Sequence, residues 1–193
     1  MQINDLVGAG PYKTIYADPP WPEYGGGAKY KRGADRHYKL MTLSNIIDLP
    51  VEKIADKNAH LYLWTTNTYL SAAFTVMARW GFAYKTTITW AKDRFGLGQY
   101  FRGQTEHLLF GVRGVLPYKV IDGKRAQGTT LITAPRGQHS AKPEQARVMI
   151  ERVSYEPRIE LFARLEYPGW DSWGNQVEKD LLSEDNHENR NQA

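Results

Sequence analysis

The chain has 193 residues, of which 41% are hydrophobic and 24% are charged, the ordinary proportions of one globular domain with a buried core. It contains no cysteine, which excludes a disulfide framework, a cysteine nucleophile and a zinc site built on thiolates. The formal net charge is +4, and because the last sixteen residues hold five acidic and two basic side chains, the preceding body is more basic than the whole chain. A basic body suits a polyanionic partner, although lysines that only keep a protein soluble give the same balance.

The apolar runs are short, and none approaches the roughly 20 residues that a membrane span requires. The N-terminus lacks the charged start and the apolar stretch of a signal peptide. We therefore expect a cytoplasmic protein that does not associate with a membrane. Residues 1–177 are predicted to form a single domain, and the polar, acidic residues 178–193 are predicted to form a disordered tail.

Four elements are predicted in the first half of the chain. Residues 14–17 are short and apolar, which indicates a buried strand. A helix is predicted over residues 42–54, opened by a hydroxyl side chain as N-cap, and a second strand over residues 60–65. Residues 68–80 carry apolar side chains at helical spacing and stop at a glycine, which is typical of an amphipathic helix.

Four further elements follow in the second half. Strands are predicted over residues 86–90 and 107–112, with a glycine-rich loop between them. A helix is predicted over residues 143–153, because its first residue is a proline and its apolar side chains recur at helical spacing. The last strand is predicted over residues 158–163.

Strands that alternate with helices predict an α/β fold with a mostly parallel sheet covered on both faces. No helix separates residues 86–90 from residues 107–112, so we expect one antiparallel strand at the edge of the sheet. Ligands of such sheets lie beyond the carboxyl ends of the strands. The sequence therefore predicts a cleft at that edge, where three long polar loops converge, over residues 22–39, 92–106 and 118–142.

A tetrad with distinctive chemistry follows the first predicted strand: Asp18, Pro19, Pro20 and Trp21. The prolines fix two φ angles and remove two backbone donors, which leaves a rigid turn of carboxylate and carbonyl acceptors beside an indole ring. Such a turn suits a planar group with an exocyclic amine, because the amine donates two hydrogen bonds while the ring stacks on Trp21. A proline turn with a packed tryptophan is the alternative interpretation, and the preceding strand and the three following glycines favour the functional one.

The amine of a nucleobase is a poor nucleophile, because its lone pair is delocalised into the ring. Hydrogen bonds to the Asp18 carboxylate and the Pro19 carbonyl draw the nitrogen toward sp³ geometry. Asp18 also stabilises the positive charge that develops as the amine attacks a sulfonium methyl group. This attack needs no covalent intermediate, in agreement with the absence of cysteine.

The tetrad is one of several motifs through which the chain resembles the family of adenine-N6 methyltransferases, which includes the catalytic subunit of the eukaryotic messenger-RNA enzyme and small bacterial and phage enzymes. The resemblance covers residues 12–176, and its other motifs are, in chain order, LYLWTTN at 61–67, TEHLL at 105–109, KP at 142–143, IELFAR at 159–164 and WGNQ at 173–176. It implies a Rossmann-like, S-adenosylmethionine-dependent methyltransferase fold with a permuted motif order, in which the catalytic motif precedes the main cofactor strand.

The same resemblance implies S-adenosylmethionine as cofactor and S-adenosylhomocysteine as product. The residues assigned to the cofactor, all but Glu166 through this resemblance, are Ala17, Asp18, Lys142, Arg164, Glu166, Asn175 and Gln176. Lys142 suits the methionine carboxylate, and the two amides suit the ribose or the adenine. Glu166 stands where the messenger-RNA enzyme has a histidine, and we assign it as a compensating ligand because a carboxylate accepts from both ribose hydroxyls. No metal is predicted, because no second ligand stands at a suitable spacing from His107.

Two loops combine cations with aromatic side chains, a composition that suits phosphate contacts and base stacking. The residues assigned to the nucleic acid, besides Trp21, are Lys29, Lys31, Arg32, Arg36 and Tyr38 in the first loop and Arg94, Tyr100 and Arg102 in the second. Tyr38 matches a tyrosine that the family places beside the target adenine. A surface loop without a catalytic role is the alternative for the first of these loops.

DNA is the preferred substrate, because small stand-alone members of the family resemble phage or bacterial DNA modifiers. RNA stays open, since a contact to a 2′-hydroxyl leaves no motif. A base in a duplex must be flipped out to reach Trp21, and no separate reader module fits in the chain, so we expect short or loose sequence specificity in a monomer or homodimer. The aspartate of the tetrad disfavours a protein-glutamine or cytosine-N4 methyltransferase, and the retained tetrad disfavours a non-catalytic nucleic-acid-binding partner subunit.

Overall fold

The computed structural model describes residues 10–22, 41–96, 98, 100–137 and 141–174. Its strands are β1 Tyr12–Ala17, β2 Ala55–Thr65, β3 Ala83–Ala91, β4 Thr105–Arg113, β5 Val120–Ile121, β6 Lys124–Arg125, β7 Leu131–Thr133, β8 Arg158–Leu161 and β9 Asp171–Trp173. Its helices are α1 Leu43–Ile47, α2 Val51–Ile54, α3 Leu70–Arg79, which follows a 3-10 turn at Asn67–Tyr69, and α4 Glu144–Val153. Residues 178–193, predicted to form a tail, lie outside the described residues.

Seven strands form one sheet in the order β7-β3-β4-β2-β1-β8-β9. The pairs β1–β2, β1–β8, β3–β7 and β8–β9 are parallel, whereas β4 is antiparallel to both β2 and β3. The expected α/β fold with a mostly parallel sheet is confirmed, and so is the antiparallel strand. Its expected position at the edge is wrong: β4 lies between β2 and β3, because β3 and β7 continue the sheet beyond it.

The central strands are buried on both faces, and their side chains alternate between two cores. In β1, Ile15 and Ala17 join the core beneath α1, α2 and α3, which also contains the largest set of aliphatic side chains. Tyr16 points the other way and packs with Trp64, Trp90 and the residues of α4. The sheet is therefore covered on both faces, as the alternation of strands and helices predicts.

The helix predicted over residues 42–54 is two short helices in the structure. A hydroxyl side chain caps α1, as predicted: that of Thr42 accepts a hydrogen bond from the Asn45 backbone. The helix ends at Asp48, and Pro50 precedes α2. A proline removes the intrahelical donor and disfavours helical backbone at the residue before it, so a single helix could not cross Pro50.

No helix among the described residues is long and apolar enough to cross a membrane. The hairpin β5–β6 and the three-residue strands β7 and β9 are not among the predicted elements. Both short strands lie at the ends of the sheet, where each pairs with one neighbour. Their strand geometry comes from that pairing, which a pattern of two or three residues does not reveal.

Candidate active site

The sheet places four segments of the chain at one edge. The parallel strands β1, β2 and β3 end there, and the antiparallel β4 begins there, because Trp90 of β3 pairs with Glu106 and Thr65 of β2 pairs with His107. Asp18 follows β1 directly, and Lys92 follows β3. The loop that leads into α4 brings Lys142 to the same edge. These positions agree with the predicted cleft at the carboxyl ends of the strands.

Asp18 and Lys142 form an ion pair at the centre of this edge. Lys142 Nζ lies 2.6 Å from Asp18 Oδ2, and the two side chains are 13% and 20% exposed. Burial opposes the charged form of Lys142, but the neighbouring carboxylates of Asp18 and Glu106 outweigh it and raise the pKa of the lysine above its ordinary value. Lys142 is therefore a fixed cation at physiological pH, held against the first residue of the tetrad.

Glu106 extends this pair into a cluster of four charges. Its carboxylate lies 3.4 Å from Lys142 Nζ and forms a second ion pair with Lys92. Burial works against the charged form of Glu106, but the charges of Lys142 and Lys92 are stronger and hold its pKa below the ordinary value. Two carboxylates and two ammonium groups thus alternate along the edge, in the order Asp18, Lys142, Glu106 and Lys92.

The rest of the tetrad forms a tight turn tied to the neighbouring strand. The Trp21 backbone N–H donates to the Pro19 carbonyl at 2.8 Å, and the Pro20 carbonyl accepts from Met41 at 3.1 Å. A carbonyl has two lone pairs, so the Pro19 oxygen keeps capacity for the predicted second donor. The rigidity that the two prolines predict for this turn stays a prediction.

Trp21 is packed more deeply than a free stacking platform. Its indole Nε1 donates to the Trp64 carbonyl at 3.0 Å, its ring stacks on Tyr69 with centroids 5.4 Å apart, and the residue is 8% exposed. A flipped base would have to stack on the face opposite Tyr69. The assignment of Trp21 to the target base stays a prediction, and it now concerns only the face of the indole ring that does not contact Tyr69.

A second, partly buried ion pair joins α4 to β8. Arg147 of α4 donates to Glu160 of β8 at 2.5 Å and lies over the rings of Tyr16 and Tyr167. Burial raises the pKa of Glu160, and the Arg147 charge offsets part of this effect. The charge of Asp18 adds to the rise, so the Glu160 carboxylate lies within electrostatic range of the tetrad.

Only some of the predicted cofactor residues lie at the charged edge of the sheet. Arg164 lies close enough to both Lys142 and Glu160 to lower the pKa of each, which places it at the charged edge. Ala17 is fully buried in β1, where it supports the end of the strand, and Glu166 is exposed. A Cβ atom on Gly174 would lie 2.0 Å from the Ala163 carbonyl, so only glycine allows this approach of the chain to the end of β8. Asn175 and Gln176 lie outside the described residues.

The second predicted target loop is described except at residues 97 and 99, whereas residues 23–39 of the first lie outside the described residues. Arg94, Tyr100 and Arg102 are exposed on the segment between β3 and β4. The residues assigned to the first loop that lie outside the described residues are Lys29, Lys31, Arg32, Arg36 and Tyr38.

Glu106 lies in the TEHLL motif and Lys92 in the second cationic and aromatic loop, but neither is among the site residues predicted from the sequence. A signal was present, because each stands at the boundary of a strand that ends or begins at the ligand edge. His107, interpreted from the sequence as structural, is bonded through both ring nitrogens, to Thr89 Oγ1 at 3.2 Å and to Asn67 Oδ1 at 2.9 Å. The described residues hold no group of three or more side chains able to bind a metal ion.

A Rossmann-like sheet whose first strand ends in the tetrad defines the fold of an S-adenosylmethionine-dependent methyltransferase. Residues 12–176 match the MT-A70 family, and the chain belongs to this family of S-adenosylmethionine-dependent methyltransferases.

Relatives of this chain occur in several kinds of organism. The Type II methyltransferase M.MunI of Mycoplasma sp is 32% identical over 86% of this chain and 78% of its own length. The N(6)-adenine-specific methyltransferase METTL4 of Homo sapiens is 28% identical over 87% of this chain. The N(6)-adenosine-methyltransferase MT-A70-like protein of Arabidopsis thaliana is 27% identical over 90% of it. The chain spans 38% and 24% of the lengths of these last two relatives.

Proposed function

We propose that this chain transfers a methyl group from S-adenosylmethionine to the N6 amine of adenine in DNA. The observation that carries the proposal is the partly buried ion pair between Lys142 and Asp18, which fixes the carboxylate of the tetrad at the ligand edge of the sheet. A free surface aspartate would sample many rotamers, whereas this one is held in one position by a cation.

Asp18 is suited to bind and polarise an amine. A carboxylate has about four acceptor sites, so the bond from Lys142 leaves capacity for an N–H group of the target base. The Pro19 carbonyl, fixed by the turn, is the second acceptor. As the amine becomes positively charged, the negative charge of Asp18 stabilises it in a site from which most water is excluded.

The charges at the edge fit the cofactor of the family. The amino-acid end of S-adenosylmethionine carries one ammonium and one carboxylate group, and the edge offers both complements: the carboxylates of Asp18 and Glu106, and the cations of Lys142 and Arg164. When bound, the cofactor supplies an electrophilic methyl group. We assign Lys142 and Arg164 to its carboxylate end, with Glu166, Asn175 and Gln176 around its ribose and adenine.

We favour DNA because this chain covers 78% of the length of its relative M.MunI, which is a Type II methyltransferase. The human relative is named for adenine specificity, which is consistent with this choice. RNA is the second candidate, favoured by the Arabidopsis relative, whose name specifies adenosine. The two differ at the 2′-hydroxyl, so matched oligonucleotides separate them.

We also propose that the recognition sequence is short or loosely defined. The described segments are taken up by the methyltransferase sheet and its helices, so base readout falls to the loops around the ligand edge. A few side chains on loops contact few bases. Methylation by a purified monomer at only one site of about six base pairs or more would contradict this proposal.

The test is transfer of a tritiated methyl group to DNA and RNA oligonucleotides of identical sequence. We expect the methyl group to be transferred to DNA at least about tenfold faster than to RNA, which corresponds to a difference of about 1.4 kcal/mol in transition-state binding. Faster labelling of RNA would move the assignment to the second candidate. Cofactor binding measured by calorimetry without transfer to either polymer would favour a partner subunit and overturn the enzymatic proposal.

A further inference from the structure

Two adjacent aromatic side chains stand almost fully in solvent on the loop between β3 and β4. Tyr100 is 93% exposed and Phe101 is 92% exposed, more than any other large hydrophobic residue for which the structure gives an exposure. Single apolar side chains on a surface are ordinary, but two neighbouring rings with no cover indicate a binding surface.

The loop that carries these rings is braced at its base. The backbone N–H of Lys92 donates to Gln104 at 2.9 Å, and the Gln104 side chain returns a bond of 2.9 Å to the Lys92 carbonyl. Further out, Gly96 N–H donates to the Gly103 carbonyl at 2.6 Å. A Cβ atom on Gly98 would lie 1.9 Å from the Phe101 carbonyl, so glycine permits the chain to fold back at the tip. The rings are therefore presented by a formed hairpin.

The charges beside the rings indicate the kind of partner. Arg102 and Arg94 are both exposed, and Arg102 lies over the Phe95 ring while its Nε donates to the Gly96 carbonyl at 3.0 Å. A guanidinium has five N–H donors, so this bond leaves Arg102 with further donors that suit a phosphate. Aromatic rings flanked by cations match a polymer of bases and phosphates better than an apolar protein surface, where charges are depleted.

The hairpin also begins at the catalytic edge. Lys92, its first residue, pairs with Glu106, which contacts the Lys142 that holds Asp18. At about 3.3 Å per residue, the six residue-to-residue steps from Lys92 to Gly98 can span at most about 20 Å. This reach exceeds the depth of either groove of duplex DNA, about 8.5 Å and 7.5 Å. A tip with that reach can enter the base stack while the base of the hairpin stays at the site.

We propose that Tyr100 and Phe101 form an aromatic wedge that enters the duplex beside the target adenine and stacks in the space that the flipped base leaves. The inference rests on the proposed function and names the form of the substrate: a paired duplex, opened by this chain's own hairpin. The wedge stabilises the open duplex by stacking, and the arginines hold the backbone on either side.

The test compares the double variant Tyr100→Ala/Phe101→Ala with the unmodified chain on two duplexes. In one the target adenine is paired with thymine, and in the other it faces an abasic site and needs no wedge. The variant should lose at least about tenfold in kcat/KM on the paired duplex and less than about threefold on the abasic duplex, because loss of stacking matters only where a paired base must be extruded. The matched control Val120→Ala/Ile121→Ala removes two exposed apolar side chains from the β5–β6 hairpin and should leave both rates unchanged.

A second readout separates the wedge from the reaction. 2-Aminopurine at the target position should brighten when the unmodified chain binds the paired duplex and should stay quenched with the double variant. If the double variant methylates the paired duplex as fast as the unmodified chain does, the wedge proposal is wrong. An equal loss of activity on both duplexes, accompanied by a change in sedimentation, also overturns it. That result would assign the two rings to contacts between copies of the chain. If the unmodified chain methylates neither duplex, the proposed function fails, and the 2-aminopurine signal alone then decides for or against the wedge.

Discussion

Lys142 Nζ lies 2.6 Å from Asp18 Oδ2 and so joins the first residue of the tetrad to a residue 124 positions further along the chain. This contact defines the site, because it fixes a carboxylate and a cation at the edge where the strands end. Asp18 contributes the negative charge for the target amine, and Lys142 contributes the positive charge that holds the neighbouring carboxylates. Each contribution can be tested by itself.

Asp18→Asn keeps the size of the side chain and one acceptor oxygen but removes the negative charge. We expect kcat to fall by at least about a hundredfold, because the charge that develops on the amine loses its electrostatic partner. Steady-state rates of methyl transfer measure the effect. The control is Asp122→Asn, an exposed aspartate at φ 51, a conformation that asparagine also tolerates, and it should keep the full rate.

Lys142→Met leaves the partly buried carboxylates of Asp18 and Glu106 without their shared cation. We expect a loss of about 2 kcal/mol in the free energy of unfolding at pH 7, below the cost of breaking a fully buried pair because both carboxylates keep some contact with solvent. The charges of Lys142 and Lys92 hold the pKa of Glu106 in the folded state below its ordinary value. The charged carboxylate therefore stabilises the fold at any pH above the ordinary pKa, and this stabilisation is lost as the pH falls through the lower pKa of the folded state. The gap between variant and unmodified chain should therefore narrow toward acid in urea denaturation, and a constant gap would contradict the pairing.

His60 supplies a pH dependence of a different origin. Burial lowers the pKa of its imidazole to about 4, while its Nδ1 stays bonded to Ser154 Oγ at 2.7 Å. A neutral histidine in the fold stabilises it fully above the unfolded pKa of about 6.5, and this contribution, about 3 kcal/mol, is lost as the pH falls toward 4. His60→Asn should flatten the fall between these two values. An NMR titration that puts the pKa of His60 near 6.5 would refute the prediction.

Lys92 and Glu106 are expected to act as a coupled pair. A double-mutant cycle with Lys92→Met and Glu106→Gln should show a coupling energy of about 1–3 kcal/mol in stability, because each single change leaves a charge at a poorly solvated position without its closest partner. The matched cycle on the exposed pair Arg94 and Asp93 should show no measurable coupling, because solvent screens the two charges. Additive effects at Lys92 and Glu106 would show that the charge cluster is not an energetic unit.

Trp21→Phe removes the indole hydrogen bond together with part of the packed ring. Phenylalanine keeps a ring for the contact with Tyr69 but leaves the Trp64 carbonyl without the indole donor. We expect a loss of about 1–2 kcal/mol in the free energy of unfolding, the cost of one unsatisfied buried group. Chemical denaturation measures it, and unchanged stability would mean that the bond from Nε1 contributes nothing net.

Much of the fold follows from local pattern. Short apolar runs bounded by polar loops identify β1, β2, β3, β4 and β8, and helical spacing identifies α3 and α4. The sequence does not identify the interior place of β4, because that depends on β3 and β7 extending the sheet. Nor does it identify strands as short as β9, which are held by one neighbour.

The candidate site, like the fold, could be predicted from the sequence only in part. Asp18 and Lys142 are recognisable from their motifs, since rare combinations of residues stand at strand ends. Their contact is not recognisable, because 124 residues separate them and only the sheet brings them together. Glu106 and Lys92 escape assignment for a similar reason: charged residues are common, and only their shared burial marks these two.

The central claim is tested most directly by digesting DNA after incubation with the chain and S-adenosylmethionine and measuring N6-methyldeoxyadenosine by mass spectrometry. The proposed function predicts this nucleoside with the unmodified chain, at least about a hundredfold less with Asp18→Asn, and an unchanged amount with Asp122→Asn. No N6-methyldeoxyadenosine from the unmodified chain, or equal amounts from Asp18→Asn, would contradict it.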